Sequence, residues 1–192
     1  MLFRSVLVAL ARHAEVVLDE ADLVREQRRR ALARLADMLR YTVEAGARPA
    51  ALLSEELAFV EDYLGVARER YETSLEFRAK VAPDLLSTAV PPLMLQPLVE
   101  NSLKHGCGPD SSGLHLSLEA GREDGWFTLR FADDGAASGN GAPGLGVGLA
   151  NLAQRVLRFA GPQASMDAGP VAGGGFAVTL RWPVAAQATG AA

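Results

Sequence analysis

Three short stretches of the chain carry residues whose types and spacing could do chemistry. The first is Leu98-Val99-Glu100-Asn101-Ser102-Leu103-Lys104-His105-Gly106. Read as a helix, it puts Leu98, Val99, Ser102 and Leu103 on one side, with Leu95 above them. Glu100, Asn101, Lys104 and His105 fall on the other, at steps of one, three and four. A carboxylate, an amide oxygen and an ammonium then converge on one surface. The two oxygens can ligate Mg2+ directly or through water, and the ammonium can meet a phosphate. A solvated helix face with a Glu100–Lys104 pair would use the same residues, and the segment alone does not choose.

The second stretch is Asp133-Asp134-Gly135, just after an alternating run that ends at Phe131. A carboxylate there can accept a hydrogen bond from an exocyclic amino group, and the glycine lets the backbone approach a flat ring. Asp-Gly after a strand is also an ordinary turn. The third is Gly144-Leu145-Gly146-Val147-Gly148-Leu149-Ala150-Asn151. Its three alternating glycines open onto a helix, whose N-terminal N–H groups and positive end can cradle phosphate. No Gly-Lys-Ser/Thr follows, so this is not a P-loop. Nor does the stretch lie early in a strand–helix–strand unit, as a dinucleotide fingerprint would. A flexible connection is the alternative.

These stretches need elements to hold them. From residue 26 to residue 43, Leu32, Leu35, Met38, Leu39 and Val43 recur at helical steps, and Gly46 and Pro49 end the run. Ser54 is the expected N-cap of a second helix, with Glu55 and Glu56 as negative charge in its first turn and Leu57, Val60, Leu64 and Ala67 continuing to about Tyr71. The period then changes to two. Leu75, Phe77, Ala79 and Val81 read as a half-buried strand. The Asn101 helix is expected over residues 96–105, with Pro97 tolerated near its start. Leu114, Leu116 and Leu118, then Phe127, Leu129 and Phe131, form two more strands joined through residues 121–125. Residues 135–148 read as a long loop and residues 149–159 as a helix. Phe176, Val178, Leu180 and Trp182 give the last strand, and residues 187–192 a tail.

Composition bounds the rest. The chain has 192 residues, with 19 Lys or Arg against 23 Asp or Glu, a net charge of −4, and 49% apolar residues. That is enough apolar material for a core, and the acidic balance argues against a nucleic-acid partner. The single cysteine, Cys107, excludes an intrachain disulfide framework and fits a reducing compartment. No stretch approaches the roughly 20 apolar residues of a membrane span, and residues 6–11 read better as a helix face than as a signal peptide.

The order of the three stretches is more informative than any one of them. An Asn-bearing helix, a strand ending in Asp-x-Gly, and a Gly-x-Gly-x-Gly loop opening a helix together resemble the ATP-binding domain of sensor histidine kinases. That domain belongs to a wider family with gyrase, MutL and a heat-shock chaperone. VPPLMLQPLVENSLKH at residues 90–105 resembles in particular the LytS/YehU-type kinases, as do LARLADMLRY at residues 32–41 and SEELAFVEDYL at residues 54–64. The resemblance spans roughly residues 32–183.

The resemblance implies an α+β chain. A helical dimerisation and phosphoacceptor-like segment would occupy residues 1–71. A Bergerat-type (GHKL) α/β sandwich would occupy residues 72–186, with a mixed, mostly antiparallel sheet and helices on one face. It implies ATP and Mg2+ as cofactors, with Asn101 as the Mg2+ ligand. Glu100 and Lys104 would be the flanking catalytic residues, and Lys104 and His105 would be nucleotide contacts. Asp133 would accept from the adenine amino group above Gly135. Gly144, Gly146, Gly148 and Leu149 would lie around the phosphates, beside a mobile lid. The implied reaction passes the γ-phosphoryl group to a histidine for relay to a response regulator, in a cytoplasmic homodimer with no membrane segment in this stretch of chain.

The sequence also departs from the family. Asp134 stands where Asn is frequent, and Ala137 where a further Gly would complete a longer glycine motif. The family's phosphoacceptor lies in Pro-His-Phe-Leu-Phe-Asn, whereas Met1-Leu2-Phe3-Arg4 looks like a remnant without the histidine. His13 lies in Arg-His-Ala-Glu, which resembles no phosphoacceptor box, and reads as a surface histidine. His115 points outward on a strand and is assigned no role. Cys107 reads as a small side chain near the pocket. A truncated start or an acceptor on another chain would account for the gap. Two alternatives follow. One is a degenerate ATP-binding pseudokinase or interaction module. The other is an ATPase of the wider family, disfavoured because Pro97 stands where its general base belongs.

Overall fold

The computed structural model describes residues 25, 29, 40, 41, 44, 45, 48–70, 74–106, 113–135 and 146–184. By compactness the chain divides into Met1–Arg40 and Tyr41–Ala192. In the first unit, Arg25, Arg29 and Arg40 are helical. The stripe expected over residues 26–43, His13 and the Met1–Arg4 segment lie largely or wholly outside the described residues.

The second unit follows the expected α+β plan. Its elements are β1 (Ala51–Leu52), α1 (Leu53–Arg70), β2 (Leu75–Val81), β3 (Ala89–Val90), α2 (Gln96–Gly106), β4 (Leu114–Glu123), β5 (Trp126–Asp133), α3 (Val147–Ala160), β6 (Ser165–Pro170) and β7 (Phe176–Pro183). Five strands form one sheet in the order β2-β4-β5-β7-β6, and β1 pairs separately with β3. β2 runs parallel to β4, and the other three ladders are antiparallel. The sheet is thus mixed and mostly antiparallel, as expected. The parallel pair exists because the chain crosses between β2 and β4 through α2, and this crossover sets α2 against the sheet.

Alternation decides which face is buried. Leu114, Leu116 and Leu118 of β4, Phe127, Leu129 and Phe131 of β5, and Val178, Leu180 and Trp182 of β7 all point into the core. There they meet Leu53, Val60 and Leu64 of α1, Leu98, Val99 and Leu103 of α2, and Leu149, Leu152 and Val156 of α3 in one cluster. The ring of Phe127 lies 4.7 Å from Trp182, and Phe159 of α3 meets Trp182 edge-on at 6.4 Å. His115, Glu119, Arg130 and Arg181 lie exposed on the opposite face. α1, grouped on sequence with the helical segment before residue 71, shares its core with the sheet.

Two local readings change. The cap expected at Ser54 belongs two residues earlier, at Leu52. Leu53 is already helical, and Glu55 reaches back so that its Oε2 accepts the Leu52 N–H at 2.8 Å, half of a capping box. The hairpin between β4 and β5 is tighter than the stretch 121–125. Asp124 and Gly125 alone form the turn, with φ of 50° and 77°, the positive pair that a two-residue hairpin turn requires. Strand β6 carries no alternation in its sequence, and it forms because β7 offers it a free edge.

Candidate functional site

The site is built along α2. This helix starts at Gln96 with Pro97 in its first turn, where the missing N–H has no helical partner to lose. Lys104 and His105 lie in its last turn, where cations suit the negative end of the helix dipole. Leu98, Val99, Ser102, Leu103 and Gly106 are buried. Asn101 is half-buried, and Glu100, Lys104 and His105 are exposed. The predicted division of the two faces therefore holds. Glu100 accepts a hydrogen bond from Gln96 Nε2 at 2.7 Å, and no ion pair joins it to Lys104 among the described residues.

Asp133 ends β5 beside the C-terminal half of α2. Its Oδ2 accepts the hydroxyl proton of Ser102. Its Oδ1 accepts two backbone protons, from Gly135 N at 3.1 Å and from Phe176 N at 3.2 Å. Three elements thus hold one half-buried carboxylate. Two acceptor sites on Oδ1 are filled and one on Oδ2, which leaves a lone pair of Oδ2 for a further donor. Gly175 makes the approach of β7 possible. Its φ is +87°, and a Cβ there would lie 1.9 Å from the Asp133 carbonyl oxygen.

Gly135 is buried against α2. A Cβ on it would come within 2.6 Å of the Gly106 Cα, so the two backbones touch where neither residue can carry a side chain. At the other end of α2, a Cβ on Gly148 would lie 3.8 Å from Pro97 Cβ. The glycine box and the Asp133 turn therefore lie at opposite ends of one helix, about 13 Å apart by helical rise. Gly146 is the N-cap of α3 and lacks a side-chain cap bond, Gly148 is exposed in the first turn, and Leu149 is buried. Helix α3 begins at Val147, two residues before the expected start. Gly144, Ala137, the lid stretch and Cys107 lie outside the described residues.

Several residues of the site are not evident from the pattern alone. Ser102 reads as part of the core face, yet its hydroxyl anchors Asp133. The available signal is the hydroxyl itself, since a polar group among Leu98, Val99 and Leu103 needs a partner. His115, assigned nothing on sequence, holds the neighbouring acid. Its backbone N–H donates to Asp134 Oδ1 at 2.7 Å, and its Nδ1 lies 2.7 Å from Asp134 Oδ2. Partial burial pushes the Asp134 carboxyl up, but these bonds from His115 prevail and hold it below the usual carboxylate range.

The donor set suits the expected ligands in kind. Asn101 and Glu100 offer hard oxygens of the type that Mg2+ takes alongside phosphate. The described residues contain no group of three or more His, Cys, Asp and Glu that could hold a metal on their own. No helix among the described residues is long and apolar enough to cross a membrane.

Comparison with known proteins shows what the chain is similar to in sequence and in fold. Residues 10–75 match the family model described as histidine kinase, an interval that includes His13, Tyr41 and all of α1. The sensor protein LytS of Oceanobacillus iheyensis is 25% identical over 155 residues, covering 73% of this chain and 26% of that protein. The sensor protein kinase HptS of Staphylococcus aureus is 28% identical over 90 residues, 47% of this chain and 17% of that protein. The chain thus spans about a quarter or less of these relatives. Among solved structures, the histidine kinase domain of a blue-light activated histidine kinase from Erythrobacter litoralis superposes with a TM-score of 0.50 at 16% identity, covering 83% of this chain and 80% of that one. The histidine kinase AdeS of Acinetobacter baumannii gives 0.51 at 18% identity, over 81% and 79% of the two chains. These last two likenesses concern the fold alone. Its sequence relatives, a family model matched over residues 10–75 and its fold all make the chain similar to the LytS-type sensor histidine kinases.

Proposed function

We propose that this chain binds ATP with Mg2+ along α2 and donates the γ-phosphoryl group to a histidine, from which it passes to a response regulator. The observation that carries the reading is the Asp133 carboxylate, fixed by Ser102, Gly135 and Phe176 and left with one free acceptor lone pair. An acceptor-only group with a single open site selects an exocyclic amino group such as that of adenine. Asn101 and Glu100 would hold Mg2+, Lys104 and His105 would meet phosphate oxygens, and Gly144, Gly146 and Gly148 with Leu149 would line the phosphate end. Bound Mg2+ would supply charge neutralisation on the phosphates. This chain's own contribution would be positioning and a fixed electrostatic environment, the main levers available in phosphoryl transfer.

The helical residues up to about Tyr71 would provide the dimer contact, and the working unit would be a cytoplasmic homodimer. No Pro-His-Phe-Leu-Phe-Asn motif occurs in the 192 residues, so the acceptor histidine would be His13 or one that lies outside these residues, on this protein or on another chain. The test is incubation with γ-labelled ATP and Mg2+, beside Asn101→Ala and His13→Ala, with and without an added acceptor helix that carries the intact motif. Acid-labile label on the added helix, abolished in Asn101→Ala, is the expected result. Label on the chain itself that disappears in His13→Ala would make His13 the acceptor. Bound ATP with no label anywhere would replace the kinase by an ATP-binding module.

A further inference from the structure

Three separate elements converge on residues 92–95, the turn that delivers the chain into α2. Glu56, on the first turn of α1, is 0% exposed. Its Oε1 accepts the Leu93 N–H at 2.6 Å and the Tyr41 hydroxyl proton at 2.7 Å, and its Oε2 accepts the Leu95 N–H at 3.0 Å. From α3, Arg155 donates Nη1 to the Pro92 carbonyl at 3.0 Å. Leu93 sits at φ 56°, a left-handed conformation that a Leu side chain disfavours and that only an over-determined surrounding maintains. No buried side-chain polar atom among the described residues lacks a partner.

The geometry has a mechanical consequence. Leu95 directly precedes α2, and its carbonyl accepts the N–H groups of Leu98 and Val99. Whatever holds Leu95 therefore holds the axis of α2. A carboxylate is well suited to this end of the helix, where unpaired N–H groups carry partial positive charge. Asn101 lies six residues further on, about 9 Å along the axis. Tyr41 comes from a different helical stretch, so the hold depends on where that stretch places its hydroxyl.

We propose that Glu56 is a positioning residue that sets α2, and through it Asn101 and Asp133, and that the Tyr41 hydroxyl is the handle by which the helix bearing it adjusts that setting. The consequence for ATP rests on the reading above, whereas the hold on α2 does not. A conventional role, charge in the first turn of α1, would leave the carboxylate at the surface and the Leu93 and Leu95 N–H groups without it.

The experiment uses the full chain with Glu56→Gln, Tyr41→Phe and, as a control on the open face of the sheet, Glu119→Gln. Amide hydrogen exchange, urea unfolding and Mg·ATP affinity are measured for each. Glu56→Gln keeps one acceptor oxygen and should raise exchange at residues 93–99 about tenfold above any change in β4 and β5, and weaken Mg·ATP by about fivefold to tenfold. Tyr41→Phe removes only a hydroxyl and should give the same local pattern at about threefold, with overall stability little changed. Glu119→Gln should do neither. Exchange that rises uniformly over α2 and the sheet would overturn the hold, and localised exchange with unchanged ATP affinity would overturn its link to the site. If Glu56→Gln does not fold, Tyr41→Phe decides by the same criteria. A wild-type chain that binds no ATP but shows the local exchange pattern in its variants would sink the nucleotide reading and leave the hold on α2 standing.

Discussion

Two carboxylates flank α2 and do similar local work with different outcomes. Glu56, before the helix, and Asp133, beside its far half, each accept two backbone N–H groups and one hydroxyl. Glu56 is sealed. Burial raises its pKa, and the hydrogen bonds from Leu95, Tyr41 and Leu93 pull the other way without cancelling that rise. Asp133 is only half-buried and keeps solvent access. The same chemistry therefore serves structure where water is excluded and, in the function proposed above, recognition where an acceptor site stays open. Position relative to the core, rather than residue type, separates the two roles.

That contrast can be broken most severely at the sealed group. Glu56→Ala removes the acceptor from the buried Leu95 N–H and the part-buried Leu93 N–H and should cost about 3 kcal/mol of unfolding free energy in urea. A loss under about 1 kcal/mol would show that Glu56 is not a structural anchor. The open group should respond in the opposite manner. Asp133→Asn can keep its oxygen toward Gly135 and Phe176 and turn its amide toward Ser102 and the open site. Folding should change by less than about 1 kcal/mol while ATP affinity falls at least about tenfold, because a donor replaces the acceptor that an amino group needs. Equal losses in both measurements would erase the distinction between the two carboxylates.

Smaller effects sharpen the comparison. Ser102→Ala frees Asp133 Oδ2 and should cost about 1 kcal/mol in stability, with a few-fold loss of ATP and a narrower preference for ATP over GTP. An unchanged preference would mean that the other two bonds fix Asp133 alone. The smallest effect belongs to Asp134. Its folded pKa lies below the ordinary value of 3.8, so its contribution is present above that value and fades as pH falls through the lower folded one. Asp134→Asn should therefore lower stability slightly at neutral pH and flatten its acid limb, so that the difference from wild type fades at low pH. Tyr41 has the reverse sign. Burial, then the Glu56 bond, raises its pKa above the ordinary 10.0, so its contribution is full below that value and declines as pH rises beyond it. An alkaline stability slope that persists in Tyr41→Phe would contradict this.

Much of the fold was legible because its signals are local. Alternation in β4, β5 and β7 and the apolar steps of α2 and α3 need only the neighbours in sequence to be recognised. Three short stretches, taken in order, were enough to suggest the resemblance to histidine kinases and the candidate site. The two-residue strands β1 and β3 and the pattern-free β6 were not legible, since they exist only as partners of other segments.

Residue types and spacing by themselves determined which side of α2 is wet, where β5 ends in an acid, and that a glycine run opens α3. Tertiary structure alone decided what those residues touch. It paired Glu56 with backbone 37 and 39 residues away, and Asp133 with Ser102 and Phe176 at separations of 31 and 43. It brought Gly106 and Gly135 into contact and gave His115 its acid. The reason is physical. Periodicity reports whether a side chain meets water or core, but the identity of a buried hydrogen-bond partner is chosen by how distant segments pack, and nothing in the local pattern encodes that choice.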